Sequence, residues 1–280
     1  MKGEHMSFYV TYNAATVIGG RDENQDVFLC DSAVSAAGTQ SQNASGEYDA
    51  YDGNIHTFAV CDGVGSLADS GPAAAAALKA VCDKTVKINE TNSKSEISLE
   101  DLAEDLLIEA KNTLLGYLDA SCGYGSSTIS LLVVRGEEYC FANIGDSPAY
   151  VLADGELKEL SLRHNLATLK RMNNEEVFPG DECRLLLHLA SNAAGSSISY
   201  NGSTGKLSPG MKFLICSDGV LNGVSDEELK KMLSENDSAS FFAESAGKQP
   251  GADNCTAVVV RVAHACPDKS KVGEDTQREE

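Results

Sequence analysis

Five aspartates stand at the edges of short apolar segments, where their carboxylates could act together. They are Asp26 in RDENQD, Asp62 in CDGVGS, Asp146 in NIGDSPA, Asp218 in CSDGV and Asp253 in ADNCT. Carboxylates gathered at the edge of one core repel each other and lose hydration, so they need a compensating positive charge. Oxygen ligands favour hard cations, and we therefore expect Mg2+ or Mn2+ rather than zinc.

Asp62-Gly63 and Asp218-Gly219 have a simpler explanation, because Asp-Gly is a common tight turn. Asp154-Gly155 is the comparison within this sequence. It lies between two strand-like segments, at the spacing of a two-residue hairpin, and is predicted to be only a turn. No strand-like segment directly follows Asp62 or Asp218, which favours a role as ligands.

The elements that must position these residues follow from hydrophobic spacing. Period-two and β-branched patterns predict strands near 126–134, 138–145, 148–153, 156–160 and 256–263, and the first four read as one antiparallel meander with Arg135-Gly136 and Asp154-Gly155 as turns. Helices are predicted from Ser70, over 98–119, near 166–173 and over 224–233, with Ser70, Ser98 and Ser225 as caps.

The remaining segments are read mainly from composition. Residues 33–54 are polar and aperiodic and are predicted to be a long surface loop, and 266–280 to be a disordered tail. Strands and helices fall in separate blocks, which indicates an α+β class, and no linker divides residues 7–265, which we expect to form one domain.

Composition narrows the possible partners. The chain has 280 residues and a formal net charge of -20, so nucleic acid and anionic membrane surfaces are not expected partners. No apolar run approaches a membrane span and no secretory signal is visible, so we expect a cytoplasmic protein. None of the nine cysteines forms a Cys-x-x-Cys pair, and we expect Cys61, Cys140 and Cys216 to be reduced core residues.

Six short motifs occur in an order typical of a known family. They are RDENQD (21–26), DG (62–63), GSST (125–128), GDS (145–147), SDG (217–219) and DN (253–254). Together they resemble the signature motifs of the metal-dependent serine/threonine protein phosphatases of type 2C, with bacterial members the better match. The resemblance spans roughly residues 10–263, and motifs in the right order are far more specific than any one of them.

The resemblance implies a four-layer sandwich of two antiparallel β-sheets flanked by α-helices, with two metal ions at one end. By motif match, Asp62 would bridge both ions, the Gly63 carbonyl would bind one of them, and Asp218 and Asp253 would hold the other.

Three further roles follow from the same motif match. Asp26 would contact the metals through water, and Asp146 would share a third, weaker metal with Asp218. Arg21 would grip the substrate phosphate, since a guanidinium offers a planar fork to two oxygens.

Each of these residues has a structural alternative. Arg21 could form an exposed salt bridge to Asp22 or Glu23, and Asp146 could be a turn residue before the strand at Pro148. Asp253 could belong to a simple loop before the last strand.

The sequence also departs from the family pattern. Val64 stands where many members carry a histidine proposed to protonate the leaving alkoxide, so either metal-bound water supplies that proton or catalysis is slower. Gln25 replaces a common glutamate, and His164 is expected to make a structural hydrogen bond. The family's flap falls within about 165–210, a stretch that matches poorly.

The leading hypothesis is a phosphatase that removes phosphate from serine and threonine in proteins, opposing a protein kinase and acting as a monomer. The alternatives are a binding module that has lost activity, favoured by Val64, and a hydrolase of small phosphate esters on the same fold.

Overall fold

The computed structural model describes residues 8–64, 67–91, 97–191, 195 and 197–264. The strands are β1 (Phe8–Val17), β2 (Val27–Cys30), β3 (Ala33–Val34), β4 (Ser41–Asp49), β5 (Ile55–Cys61), β6 (Ile129–Arg135), β7 (Glu138–Ile144), β8 (Ala149–Ala153), β9 (Glu156–Glu159), β10 (Asn201–Lys206), β11 (Lys212–Cys216) and β12 (Cys255–His264). The helices are α1 (Ser70–Asn89), α2 (Leu99–Ser121), α3 (Leu166–Met172), α4 (Asp226–Glu235) and α5 (Ala239–Gly247).

The strands form two six-stranded sheets whose neighbouring strands are all antiparallel. The first sheet has the order β4-β1-β12-β11-β8-β9 and the second β10-β7-β6-β5-β2-β3. A core containing Phe28, Phe58 and Phe213 lies between the sheets. Helices α1 and α2 pack on the outer face of the second sheet, and α4 and α5 on that of the first. The predicted four-layer α+β sandwich is confirmed.

Side-chain pattern explains this layering. All seven residues of β5 are buried, including the polar His56 and Thr57, because the helices cover one face of this strand and the first sheet covers the other. Ala73, Ala74 and Ala77 of α1 are fully buried and, being small, let the helix approach the second sheet closely. Leu102 and Leu106 of α2 complete the same core at helical spacing.

The Asp-Gly pairs differ as the sequence indicates. Asp154 and Gly155, with φ of 51° and 77°, form the two-residue turn between β8 and β9, which confirms that prediction. Asp218 instead begins a short 3-10 turn, and Gly63 makes an isolated bridge to Ser127. Neither Asp62 nor Asp218 turns a hairpin.

Two predictions about the sheets are wrong. Residues 33–54 are not a loop, because they contain β3 and the nine-residue β4. Strand β4 is an edge strand with few apolar residues, and its register against β1 defines it rather than its own composition. Strands 126–160 do not form one meander, because β6 and β7 pair in the second sheet whereas β8 and β9 pair in the first.

The predicted helix starts fare differently. Ser98 and Ser225 cap α2 and α4 as predicted, and Ser225 forms a full capping box with Glu228. Ser70 is not a cap, because Asp69 holds the N-cap position without a side-chain bond. The Ser70 hydroxyl instead donates to the Val64 carbonyl and accepts from the Ser126 N–H, which ties α1 to two loops.

The eight cysteines within the described residues are all free, and Cys61, Cys140 and Cys216 are buried as predicted. No helix in the described part of the chain is both long and apolar enough to cross a membrane. The predicted tail at 266–280 lies outside the described residues.

Candidate active site

A cleft of about 500 Å³ opens at one end of the sandwich. Six of the seven residues singled out from the sequence line it: Arg21, Asp62, Gly63, Asp146, Asp218 and Asp253. The seventh, Asp26, is buried behind them and is 1% exposed. The ends of β5, β7 and β11 and the loops before β2 and β12 all meet here, so both sheets contribute side chains.

Asp62 is held at the end of β5 by the neighbouring strand. Its N–H donates to the Thr128 hydroxyl at 3.0 Å, and its carbonyl accepts from the Thr128 N–H at 2.9 Å. The next residue must be glycine, because a Cβ at Gly63 would lie 2.9 Å from the Gln25 carbonyl oxygen. This close approach places the Gly63 backbone in the wall of the cleft.

Ser217 links the end of β11 to the loop that carries Asp26. Its hydroxyl donates to Asp26 Oδ2 at 2.7 Å and accepts from the Thr256 N–H at 3.0 Å. Sequence reasoning did not single out Ser217, although it directly precedes Asp218 in the SDG motif. The bond fixes Asp26 relative to Asp218 across the two sheets.

Asn254 joins the loop of Arg21 to the loop of Asp253. Its amide nitrogen donates to the carbonyls of Ile18 and Glu23, both at 2.9 Å, and its amide oxygen accepts from the Gln25 N–H at 2.9 Å. Sequence reasoning treated this residue only as part of the DN motif. It is a buried clamp that sets the position of residues 18–25.

Arg21 pairs with a residue of the cleft and not with its chain neighbours. Its Nη2 donates to Asp253 Oδ2 at 2.6 Å, so the expected alternative of a salt bridge to Asp22 or Glu23 is not what the structure shows. This bond and the nearby carboxylates of Asp62 and Asp218 raise the pKa of Arg21. The guanidinium therefore stays charged at the mouth of the cleft.

The carboxyl groups of the cleft disfavour one another's ionisation. Burial, then the charges of the neighbouring aspartates, raise the pKa of Asp62 well above its usual value. Burial raises the pKa of Asp26 to about 7 despite the bond from Ser217, and that of Asp146 to about 6. The pKa of Asp218 is raised for the same reason, while hydrogen bonding from Asp62 partly opposes this.

Asp146 follows β7 in a tight bend. Gly145 adopts φ of +105° and its N–H donates to His164 Nδ1 at 3.0 Å. His164 thus makes the structural hydrogen bond expected of it. His188, which carries no signal in the sequence, has its Nδ1 2.6 Å from the Ser126 hydroxyl and anchors the segment after α3 to the GSST motif.

The residue types of the cleft suit a metal centre, but their present positions do not form one. No three His, Cys, Asp or Glu side chains of the described residues are grouped closely enough to hold a metal ion as they stand. However, Asp26 Oδ1 and Gln25 Oε1 are buried and have no hydrogen-bond partner among the residues that the structure describes. Unpartnered buried oxygens beside mutually repelling carboxylates are what a hard cation would satisfy.

Comparison with known proteins agrees with the sequence motifs. The family model described as "Protein phosphatase 2C" matches residues 32–254, which is most of the chain. The chain belongs to the protein phosphatase 2C family. Arg21 and Asp26 of this 2C member precede the matched range, so their roles rest on the geometry above.

Individual relatives of this 2C family member are distant. Serine/threonine protein phosphatase PstP of Mycobacterium tuberculosis is 28% identical over 143 residues, which cover 49% of this chain and 27% of PstP. The chain therefore matches only about a quarter of the length of that relative. Serine/threonine phosphatase stp of Listeria monocytogenes serotype 4b is 23% identical over 72% of this chain and 82% of its own length.

Solved structures of other proteins share the fold of this 2C chain. The catalytic domain of PstP in complex with two manganese ions superposes with a TM-score of 0.68 at 20% identity, covering 91% of this chain and 99% of that domain. PppA of Pseudomonas aeruginosa superposes with a TM-score of 0.65 at 23% identity, covering 91% and 99%.

Proposed function

We propose that this protein hydrolyses phosphoserine and phosphothreonine esters in proteins with the help of two divalent cations, in opposition to a protein kinase. The observation that carries the proposal is the convergence of the carboxylates of Asp62, Asp146, Asp218 and Asp253 with the guanidinium of Arg21 in a single cleft. The family and the names of its relatives support the same activity.

The carboxylates are the groups that would hold the cations. Asp62 and the Gly63 carbonyl would take one ion, and Asp62 with Asp218 and Asp253 the other, while Asp146 would offer a third position. Mn2+ is a reasonable choice because the related PstP structure contains two manganese ions, and Mg2+ prefers the same oxygen ligands. When bound, such ions supply Lewis-acid charge and an activated water.

The remaining side chains would orient the substrate. Arg21 stands at the mouth of the cleft, where its fork can hold two oxygens of the phosphoryl group. Asn254 holds the loop of Arg21 in a fixed position beside Asp253 through its bonds to the Ile18 and Glu23 carbonyls. Val64 lines the same cleft and cannot give a proton to the leaving serine or threonine oxygen, so the chain itself offers no general acid at this position.

A catalytically impaired binding module is the second candidate. Val64 and the ion pair that occupies both Arg21 and Asp253 favour it. We place it second because Asp62, Asp218 and Asp253 are all present and all face one cleft. Residues 7–265 would form the catalytic domain of a cytoplasmic monomer in the leading proposal.

Turnover of a phosphoserine peptide with and without Mn2+ tests the proposal. We expect Mn2+-dependent release of phosphate, stopped by EDTA and lowered at least about 100-fold in Asp218→Asn. Asp154→Asn is the matched control, because it makes the same chemical change at the hairpin turn, where asparagine also tolerates a positive φ.

The possible outcomes separate the candidates. If wild type and Asp218→Asn are equally inert while both are folded, the binding module is favoured. If p-nitrophenyl phosphate is hydrolysed and no phosphopeptide is, the protein is a small-ester hydrolase.

A further inference from the structure

Arg21 and Asp253 form an ion pair with each other in this conformation. Arg21 Nη2 lies 2.6 Å from Asp253 Oδ2, with 51% and 33% of the two side chains exposed. The other oxygen of the carboxylate, Oδ1, accepts the Asn254 N–H at 2.8 Å. Each oxygen of Asp253 therefore already has a hydrogen-bond donor.

The backbone keeps this pair within reach. The Gly20 N–H donates to the Ala252 carbonyl at 2.9 Å, and a Cβ at Gly19 would lie 2.0 Å from the Asp253 carbonyl oxygen. Asn254 adds its two bonds to the carbonyls of the Arg21 loop. With both loops interlocked, the long side chain of Arg21 is the part that can move.

Under the proposed function, Asp253 cannot bind a cation and keep its ion pair with Arg21 at the same time. Asp253 would ligate a dication, which repels a guanidinium bonded to the same carboxylate. The N–H of Asn254 belongs to the fixed backbone, so rotation of Arg21 is the simpler way to free an oxygen. A guanidinium released from Asp253 would remain at the cleft mouth and be available to an anion.

We propose that the Arg21–Asp253 ion pair sets the order of binding, so that a divalent cation must displace Arg21 from Asp253 before Arg21 can bind the substrate phosphate. This inference rests on the proposed function and adds a regulatory step to it. Coupling of this kind is reciprocal: whatever removes Arg21 from Asp253 must strengthen cation binding.

Calorimetric titration of the metal-free chain with Mn2+ tests the order directly. Arg21→Ala should bind Mn2+ about fivefold more tightly than wild type, although it loses phosphatase activity. Arg184→Ala is the control for loss of charge alone, since Arg184 is exposed and lies between Cys183 and Leu185, which both line the cleft. Its Mn2+ affinity should match that of wild type.

Binding of inorganic phosphate gives a second readout that does not depend on turnover. In the metal-free chain, wild type and Arg21→Ala should bind phosphate equally weakly, because Arg21 is held by Asp253. With Mn2+ bound, wild type should bind phosphate about tenfold more tightly than Arg21→Ala.

These measurements separate the proposed binding order from the phosphatase function on which it rests. If wild type binds Mn2+ and hydrolyses phosphopeptide but Arg21→Ala binds Mn2+ no more tightly, only the binding order is overturned. Equal tightening in Arg21→Ala and Arg184→Ala also overturns it, because charge alone would then explain the effect. A wild type that binds no Mn2+ overturns both the binding order and the metal-dependent function.

Discussion

Ser217 donates a hydrogen bond to the carboxylate of Asp26 across a separation of 191 residues. The bond joins the end of β11 in the first sheet to the residue before β2 in the second. Asp26 Oδ1 has no partner among the described residues, so Ser217 is a main support of a buried carboxylate. The end of the sandwich that holds the candidate site therefore depends on contacts between the sheets.

Ser217→Ala should lower the free energy of unfolding by about 1–3 kcal/mol, because it leaves Asp26 buried with still fewer partners. Urea denaturation followed by circular dichroism measures the change. Ser208→Ala, at an exposed position, should have little effect. Equal midpoints for Ser217→Ala and wild type would contradict this role of Ser217.

The metal-free protein should lose stability as the pH rises from about 6.5 to 8. Folding raises the pKa of Asp26 to about 7 and that of Asp62 well above its usual value, so the native state binds more protons than the unfolded state in this range. Stability must then fall with rising pH. Thermal melts in EDTA measure this trend.

Saturating Mn2+ should flatten or reverse the same trend, because the cation compensates the ionised carboxylates. Burial lowers the pKa of His164 and of His188, so both stay largely neutral above about pH 6.5, the usual pKa of histidine. Those histidines destabilise the fold as the pH falls below their unfolded pKa, which is the opposite sign. A melting temperature that rises with pH in EDTA over 6.5–8 would refute the electrostatic account.

Asn254→Asp should raise the KM for a phosphopeptide more than it lowers kcat, because it keeps the shape of the side chain but removes both N–H donors to the Arg21 loop. Unfolding should also become easier by about 2 kcal/mol, since two buried carbonyls lose their partner. Steady-state kinetics and urea melts give the two values.

Asn43→Asp, on the exposed edge strand β4, is the control for an added charge. An Asn254→Asp variant with unchanged KM would show that Asn254 does not position Arg21.

Val64→His should raise turnover of a phosphoserine peptide at least about tenfold and leave that of p-nitrophenyl phosphate unchanged. An alkoxide needs a proton to leave, whereas an aryl oxide does not. Val64→Gln, which is polar but not an acid, should not reproduce the gain. Parallel changes on both substrates would mean that proton supply does not limit wild type.

The layers of the fold are predictable from sequence because their side-chain periods are strong. Leu102 and Leu106 recur at helical spacing, and β5 ends in the apolar run FAVC, so the side-chain pattern itself predicts these elements. Strand β4 escapes prediction because its SQNASG stretch has almost no apolar residue. Its hydrogen bonds to β1 stabilise it, and such a pairing partner is not visible locally.

The candidate site divides in the same way. Asp62, Asp218 and Asp253 can be found because each interrupts an apolar segment and fits an ordered motif. Asn254 and Ser217 are missed because their importance lies in partners that are distant in sequence. Between β7 and β8 the chain passes from the second sheet to the first. Sequence reasoning misses this crossing because strands that are neighbours in sequence usually pair with each other.

Anomalous X-ray scattering from crystals soaked in Mn2+ tests the central claim most directly. We expect two manganese peaks roughly 4 Å apart, with the Asp62 carboxylate between them, one near the Gly63 carbonyl and the other near Asp218 and Asp253. In the same crystals Arg21 should have left Asp253. If crystals that still diffract after the soak show no manganese peak in this cleft, the proposed metal centre is contradicted.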